Sequence, residues 1–233
     1  MSFLLQLKES LLHLAFPHIC EGCGSDALPP SHALCTRCLA TLPETHFHRI
    51  RGNPVERIFW GRLPIDFASA QYYFTRDSVI QRLMHGLKYE GQKELGLFLG
   101  RMMGQSLLTA SLIATVDALV PLPLHPAKEQ KRGYNQATVL CEGMAEVLKK
   151  PVLRSLVGRK VQTETQTKKG RAERWNNMDG KFALRDPSGA AGRHLLLVDD
   201  VLTTGATIEA CGRALLEGAD TRLSVATLCI SGR

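Results

Sequence analysis

The stretch from Leu195 to Leu216 constrains the fold of this chain more than any other. Leu195, Leu196, Leu197 and Val198 form an unbroken apolar run between a polar turn and two acids, Asp199 and Asp200. Such a run reads as a strand buried on both faces, in the middle of a parallel sheet. The residues that follow, Thr203-Thr204-Gly205-Ala206-Thr207, are small and rich in hydroxyls, and Ile208, Cys211, Leu215 and Leu216 then recur at helical spacing. The order is strand, tight loop, helix, with the open N–H groups and positive dipole end of the helix facing the loop. A length of 233 residues and 44% hydrophobic content leave room for one α/β domain and a small module.

This arrangement supplies both halves of a sugar-phosphate site. The loop N–H groups and the hydroxyls of Thr203, Thr204 and Thr207 can wrap a phosphate monoester, and Gly205 allows close backbone approach. Asp199 and Asp200 are acceptors suited to a vicinal diol. The stretch resembles, without a gap, the 5-phosphoribosyl-1-pyrophosphate (PRPP) signature of the type I phosphoribosyltransferases. An apolar run ending in two acids also occurs in P-loop ATPases, but the chain contains no G-x-x-x-x-G-K-[ST].

A second module precedes this domain. Cys20-x-x-Cys23 and Cys35-x-x-Cys38, separated by eleven residues and flanked by Gly22, Gly24, Pro29 and Pro30, offer four thiolates for a closed tetrahedral zinc site. A site closed by four cysteines has a structural role. His18 and His32 stand close enough in sequence to compete as ligands. Met1 to Phe16 reads as an amphipathic helix rather than a signal peptide or membrane span, because Lys8 and Glu9 interrupt it and no cleavage site follows. Seven cysteines, an odd number, without an export signal point to a cytoplasmic protein with reduced thiols. Thr41 to Gly61 carries His46, His48, Arg49, Arg51 and Arg57 among Pro and Gly and reads as a connector, either solvated or touching nucleic acid. The expected division is 1–61 for the helix, ribbon and linker and 62–233 for the main domain.

In the main domain, strands are expected at Phe67–Phe74, Ala118–His125, Val152–Val157, Gly180–Leu184 and Arg222–Ile230. Helices are expected from a cap at Asp77 or Ser78 through Leu87, from Leu95 to Leu108, and from Lys131 to about Leu148 with Asn135 as a cap. Asp186 to Gly189 reads as a turn. In the third helix Lys131 and Arg132 would stand at the positive end of a dipole, a conflict that a bound anion resolves and that makes Arg132 a ligand candidate, with Tyr134 packing. Lys88, at a helix end closed by Gly91, is either a site lysine or a surface lysine complementing the dipole. Arg159 to Arg174, with Lys160, Lys168, Lys169 and Arg171, is polar and basic, either a loop that closes over substrate or a solvated surface, and Arg171 to Asn177 a short helix. Cys141, Cys211 and Cys229 are expected as buried thiols. The net charge of +7 favours an anionic partner, polyphosphate or nucleic acid.

The ribbon fused to a PRPP motif, together with Arg132-Gly133-Tyr134-Asn135-Gln136, Thr163-x-x-Gln166 and Arg174-x-x-Asn177-Met178, is similar over nearly the whole chain to the ComF-type (competence protein F, GntX-like) phosphoribosyltransferase family. The resemblance implies a type I phosphoribosyltransferase fold, a parallel sheet flanked by helices, with a small N-terminal zinc ribbon. It implies PRPP and Mg²⁺ as ligands and release of pyrophosphate when a nitrogen nucleophile attacks. In that scheme Asp199, Asp200 and Arg132 are the catalytic residues. PRPP is bound by Asp199, Asp200, Val201, Leu202, Thr203, Thr204, Gly205, Ala206, Thr207, Pro123, Leu124 and Lys88, with an unusual peptide geometry after Pro123. The four cysteines hold structural Zn²⁺. Where the family pattern carries an apolar residue after Gln166, this chain has Lys168, Lys169 and Gly170. The alternative is a non-catalytic PRPP- or nucleotide-binding accessory protein of DNA uptake, with single-stranded DNA or competence proteins as partners. A homodimer is a family-level expectation, and the acceptor base is set by a variable hood.

Overall fold

The computed structural model describes residues 19–26, 28, 32–160 and 181–231. The expected N-terminal helix, His18, and the 163–178 motifs with their basic loop and short helix therefore lie outside the described residues.

After the cysteine knuckles, with helix α1 at Thr36–Ala40, a 3-10 turn at Phe47–Arg49 leads to α2 at Pro54–Phe59. Strand β1, Ala68–Phe74, is followed by α3, Val79–Tyr89, and α4, Lys93–Leu107. Ser78 rather than Asp77 caps α3, its side chain accepting from the Gln81 N–H. Strand β2, Ala118–Pro121, precedes α5, Pro126–Arg132, and α6, Gln136–Leu148. The antiparallel pair β3, Val157–Arg159, and β4, Phe182–Leu184, forms a separate ribbon. Helix α7, Pro187–Ala190, β5, His194–Leu202, α8, Ala206–Leu215, and β6, Arg222–Ser231, complete the chain.

The main sheet has the order β1-β6-β5-β2 and is parallel throughout, with Leu197 in register with Val120 on one side and Val225 on the other. Leu195 to Val198 are fully buried, as a strand with neighbours on both edges and helices on both faces must be. Alternation divides them. Leu196 and Val198 join the core formed with Leu83, Leu99 and Leu140 of α3, α4 and α6, while Leu195 and Leu197 join Phe59, Ile208 and Phe182 of α2, α8 and β4.

Several expectations change. Lys131 and Arg132 do not open a helix: they close α5, which ends at Gly133 in the left-handed region, and α6 starts afresh with Asn135 as its cap. Both cations thus complement a dipole instead of opposing it. The residues read as a strand from Val152 split in two, Val152 forming a lone bridge to Leu119 and Val157 entering the ribbon. Asp186–Gly189 is the capped start of a helical turn. Every described peptide bond is trans, so the geometry expected after Pro123 is not found.

The segment 41–61 is not a free connector. Phe47, Val55 and Phe59 are buried in the sheet's own core, and Glu44 bridges Tyr72. Asn53 ties the segment down: its amide donates to the carbonyls of Ile50 at 2.9 Å and Ala68 at 2.8 Å, while Oδ1 accepts from the Val55 and Glu56 N–H groups at 2.9 and 3.2 Å. Packing therefore does not break at residue 61. Asn53→Ala, which removes a cap and leaves buried carbonyls unpaired, is expected to lower stability by about 2–4 kcal/mol in urea unfolding. A loss under about 0.5 kcal/mol, the range of ordinary surface substitutions, would return the segment to the role of a linker.

Candidate functional site

The C-terminal ends of β5 and β2 open into one cavity of about 200 Å³. It is walled by Asp199, Asp200 and Thr207 of the motif, Leu122 to Leu124 after β2, Lys88 at the end of α3, Lys128 and Arg132 of α5, Asn135 to Ala137, and Arg159 at the end of β3. Crevices beyond the carboxyl ends of parallel strands are where open α/β sheets bind ligands.

Asp199 and Asp200 lie on β5 just beyond the end of β2, after residues sealed from water, and both carboxylates are half-buried. The Asp200 N–H donates to Asp199 Oδ1 at 2.8 Å, and Asp200 Oδ2 lies 3.2 Å from Lys88 Nζ. Burial, and then the charge of Asp200, push the Asp199 carboxyl up to about 8, against the opposing pull of the Asp200 N–H, Lys88 and Arg159. Lys88 borders this cavity and pairs with Asp200 across it, a placement that suits the first of its two readings.

Arg132 is held at the cavity wall by a 2.6 Å bond to Gln136 Oε1 and by the Tyr89 ring, whose centroid lies 5.5 Å from its guanidinium carbon. Tyr134 packs as expected, buried, with its hydroxyl donating to the Leu87 carbonyl. Asn135 does more than cap α6. Its amide also donates to the Leu122 carbonyl at 2.9 Å, and Leu122 N–H donates to Val198 O at 2.9 Å, which pins the loop bearing Pro123 and Leu124 beside the acids.

The expected ligand loop divides by position. Thr203 and Thr204 are exposed and Thr207 faces the cavity. Val201 and Leu202 are strand residues paired with Cys229 and Ile230, and the Leu202 side chain belongs to the core. Gly205 is required on two counts: its φ is +77°, and a Cβ there would come within 2.8 Å of Ile58 and 3.1 Å of Phe59. It begins α8 with no side-chain cap, leaving that helix's positive end to the loop. Arg62 braces the same loop, donating to the Thr204 carbonyl at 3.0 Å and to Glu209.

Two cations of the site were not singled out from sequence. Lys128 lies in a polar helix without a motif, and Arg159 begins a basic run in which nothing distinguishes it. Only the structure shows Arg159 Nε donating to the Pro123 carbonyl at 3.0 Å.

The four cysteine sulfurs all lie within 4.8 Å of one another, and Cys23 and Cys35 are 3.8 Å apart. Zn–S bonds of about 2.3 Å place tetrahedral sulfurs about 3.8 Å apart, so the donor set fits zinc. Burial raises the Cys20 thiol, but N–H donors from Cys35, Cys23 and Gly22 outweigh it and bring it down to about 6. Burial and the neighbouring thiols push Cys38 up, the repulsion expected of four sulfurs that a dication would relieve. His32 is not among the clustered donors. Cys141, Cys211 and Cys229 are buried thiols.

Residues 135–232 match the phosphoribosyl transferase domain family. The chain is 30% identical over 224 residues to the DNA utilization protein YhgH of Escherichia coli K12, covering 93% of this chain and 92% of that protein.

The chain belongs to the ComF-type phosphoribosyltransferase family.

Competence protein F of Haemophilus influenzae is 27% identical over 88% of this chain and 86% of its own length, and competence protein ComFC of Bacillus subtilis 30% identical over 86% and 72%. A solved structure of Bacillus subtilis glutamine PRPP amidotransferase matches with a TM-score of 0.43 at 17% identity, covering 61% of this chain and 30% of that enzyme. With this membership the sheet is that of a type I phosphoribosyltransferase domain, and the four-cysteine cluster of this ComF-type chain is compatible with a zinc ribbon. No helix among the described residues is long and apolar enough to cross a membrane.

Two outcomes are expected. Because the folded state favours protonated Asp199, this group's contribution to stability is full below about pH 4 and is lost as pH rises through about 8. Asp199→Asn should therefore flatten the fall in Tm between pH 5 and 8 and melt above wild type at pH 8, and a Tm unchanged at both ends would contradict the assignment. Native mass spectrometry should find one zinc per chain, absent from Cys20→Ser.

Proposed function

We propose that this protein binds PRPP with Mg²⁺ and transfers the phosphoribosyl group to a nitrogen nucleophile, releasing pyrophosphate. The observation that carries this reading is the convergence, in one cavity, of an acid pair and Thr207 with four cations from separate elements, Lys88, Lys128, Arg132 and Arg159. Asp199 and Asp200 accept hydrogen bonds from the ribose hydroxyls. The Thr203–Thr207 loop and the start of α8 take the 5-phosphate, and binding energy there orients the reacting carbon. Arg132 and Arg159 face the loop of Pro123 and Leu124, where the pyrophosphate sits, and balance its charge as it leaves. The C1–oxygen bond breaks with its electron pair going to pyrophosphate, the C1–nitrogen bond forms, and the nucleophile loses a proton. Magnesium bound with PRPP would neutralise part of the leaving charge. The buried thiols suit a reducing compartment, and the reading adopted is a cytoplasmic protein.

The printed names of the relatives, DNA utilization protein and competence proteins, favour a second reading. In it the same pocket binds PRPP or a nucleotide without turnover, in an accessory protein of DNA uptake that works with single-stranded DNA or DNA-processing partners. Isothermal titration with PRPP and Mg²⁺ is expected to give binding that falls at least tenfold in Asp200→Asn, the scale of a lost charge-assisted hydrogen bond. Pyrophosphate release across a panel of nucleobases separates the readings. Turnover with any acceptor supports transfer, and binding without release supports the accessory role. Wild-type protein indifferent to PRPP would overturn transfer, and indifference to nucleotides as well would overturn both.

A further inference from the structure

We infer that the first cysteine knuckle sets the position of Lys88 through helix α3, with Arg82 and Gln92 as the positioning residues, so that metal occupancy governs affinity for the phosphorylated sugar. The inference rests on the reading of the pocket given above and adds a control on it.

Helix α3 spans the distance between the two sites. At its first turn the knuckle backbone touches it directly: a Cβ on Gly22 would stand 3.0 Å from Val79 Cγ1 and 2.9 Å from Cys38 Sγ, leaving room only for glycine between the helix and a sulfur of the other cysteine pair. One turn on, Arg82 Nε donates to the Gly22 carbonyl at 2.5 Å. Just past the far end, Gln92 Nε2 donates to Glu21 Oε2 at 2.7 Å. Glu21 and Gly22 both lie between the ligands Cys20 and Cys23, so one metal-closed turn grips the helix near both ends. Between the grips, Ile80, Leu83 and Leu87 are buried in the same core as Cys20, Leu34 and Cys38.

The pocket end of the helix is fastened as well. The Leu87 carbonyl receives the Tyr134 hydroxyl, and Lys88, the next residue, pairs with Asp200 at 3.2 Å. Lys88 is a flexible four-carbon stem, so where its ammonium acts depends on where its Cα is held. Three backbone bonds shape the knuckle, Cys20 N–H to Ser25 O at 2.7 Å, Glu21 N–H to Ala33 O at 3.0 Å and Gly24 N–H to Cys20 O at 2.8 Å, and a metal would add the bonds that hold its sulfurs to the second cysteine pair. Four clustered sulfurs repel as thiolates, and the binding free energy of a structural zinc is largely folding free energy of the turn around it. With the metal gone, the Gly22 carbonyl and Glu21 carboxylate lose their fixed places and α3 loses two of its restraints. Lys88 then loses the geometry that lets it face both an acid and an incoming anion.

The test uses zinc-loaded full-length protein, with PRPP and Mg²⁺ as the titrant, in wild type, Arg82→Ala, Lys88→Met and the double variant. Arg82→Ala should keep its zinc by elemental analysis yet bind PRPP about five- to tenfold more weakly, the scale of one displaced charge-assisted contact. In the Lys88→Met background the same change should add nothing, because its route to the ligand is already cut. Wild-type affinity in Arg82→Ala, or losses that multiply in the double variant, would overturn the inference and leave Arg82 an ordinary packing residue. Should Arg82→Ala fold poorly, Gln92→Ala tests the other grip by the same cycle. If wild-type protein does not bind PRPP, the pocket reading has failed and the coupling is judged without ligand. Hydrogen exchange over 79–89 should quicken on chelation of zinc while α6 stays protected, and unchanged exchange over 79–89 would refute it.

Discussion

The structure depends on placing two adjacent carboxylates near the carboxyl end of a strand whose preceding residues are sealed from water. Leu195 to Val198 are buried completely, and the acids emerge where the neighbouring strand β2 ends, while β5 runs on to Leu202 beside β6. Ionising both at that depth is unfavourable, which is why Asp199 is driven toward its protonated form while Lys88 compensates Asp200 from across the cavity. Such an arrangement gives up stability for readiness, a common trade at sites of binding and chemistry.

The surrounding cations arrive by different routes, and their convergence is what turns an acid pair into a site. Lys88 comes from the end of α3, Lys128 and Arg132 from α5, and Arg159 from the antiparallel ribbon. Arg132 does not reach the cavity because a helix dipole forces it there. It sits in the favourable last turn of α5 and is fixed by Gln136 and Tyr89. The neighbouring Thr203–Thr207 loop is shaped by packing: Gly205 admits Ile58 and Phe59, and Arg62 braces Thr204, so α2 and the residues after it form part of the candidate site's foundation.

The cysteine cluster belongs to the same body. Cys20 and Cys38 share a core with α3 and α4, so a metal there shapes the wall of the main domain rather than a separate appendage. In the coupling inferred above, a metal-closed turn would steady the helix that carries Lys88 to the proposed pocket.

How much of this was legible in sequence follows from whether a feature is local. The buried central strand, the loop and helix after it, a cap at Asp77 or Ser78, the cap at Asn135 and the four-cysteine spacing were readable, because each is written in consecutive residues whose apolar period, hydroxyls or ligand spacing admits few structures. The packing of 41–61 against the sheet was not, since Phe47, Val55 and Phe59 are scattered among charged residues and Asn53 shows its worth only beside Ile50 and Ala68. The break at Gly133 is not marked in the sequence, because Lys131 and Arg132 can close one helix as readily as stand before the Asn135 cap of the next. The choice of Lys88 and the recruitment of Lys128 and Arg159 belonged to tertiary structure alone. A charge on a flexible side chain carries no mark of its partner until the backbone brings the two within a few ångströms, whereas a strand, a cap or a pair of ligand turns declares itself along the chain.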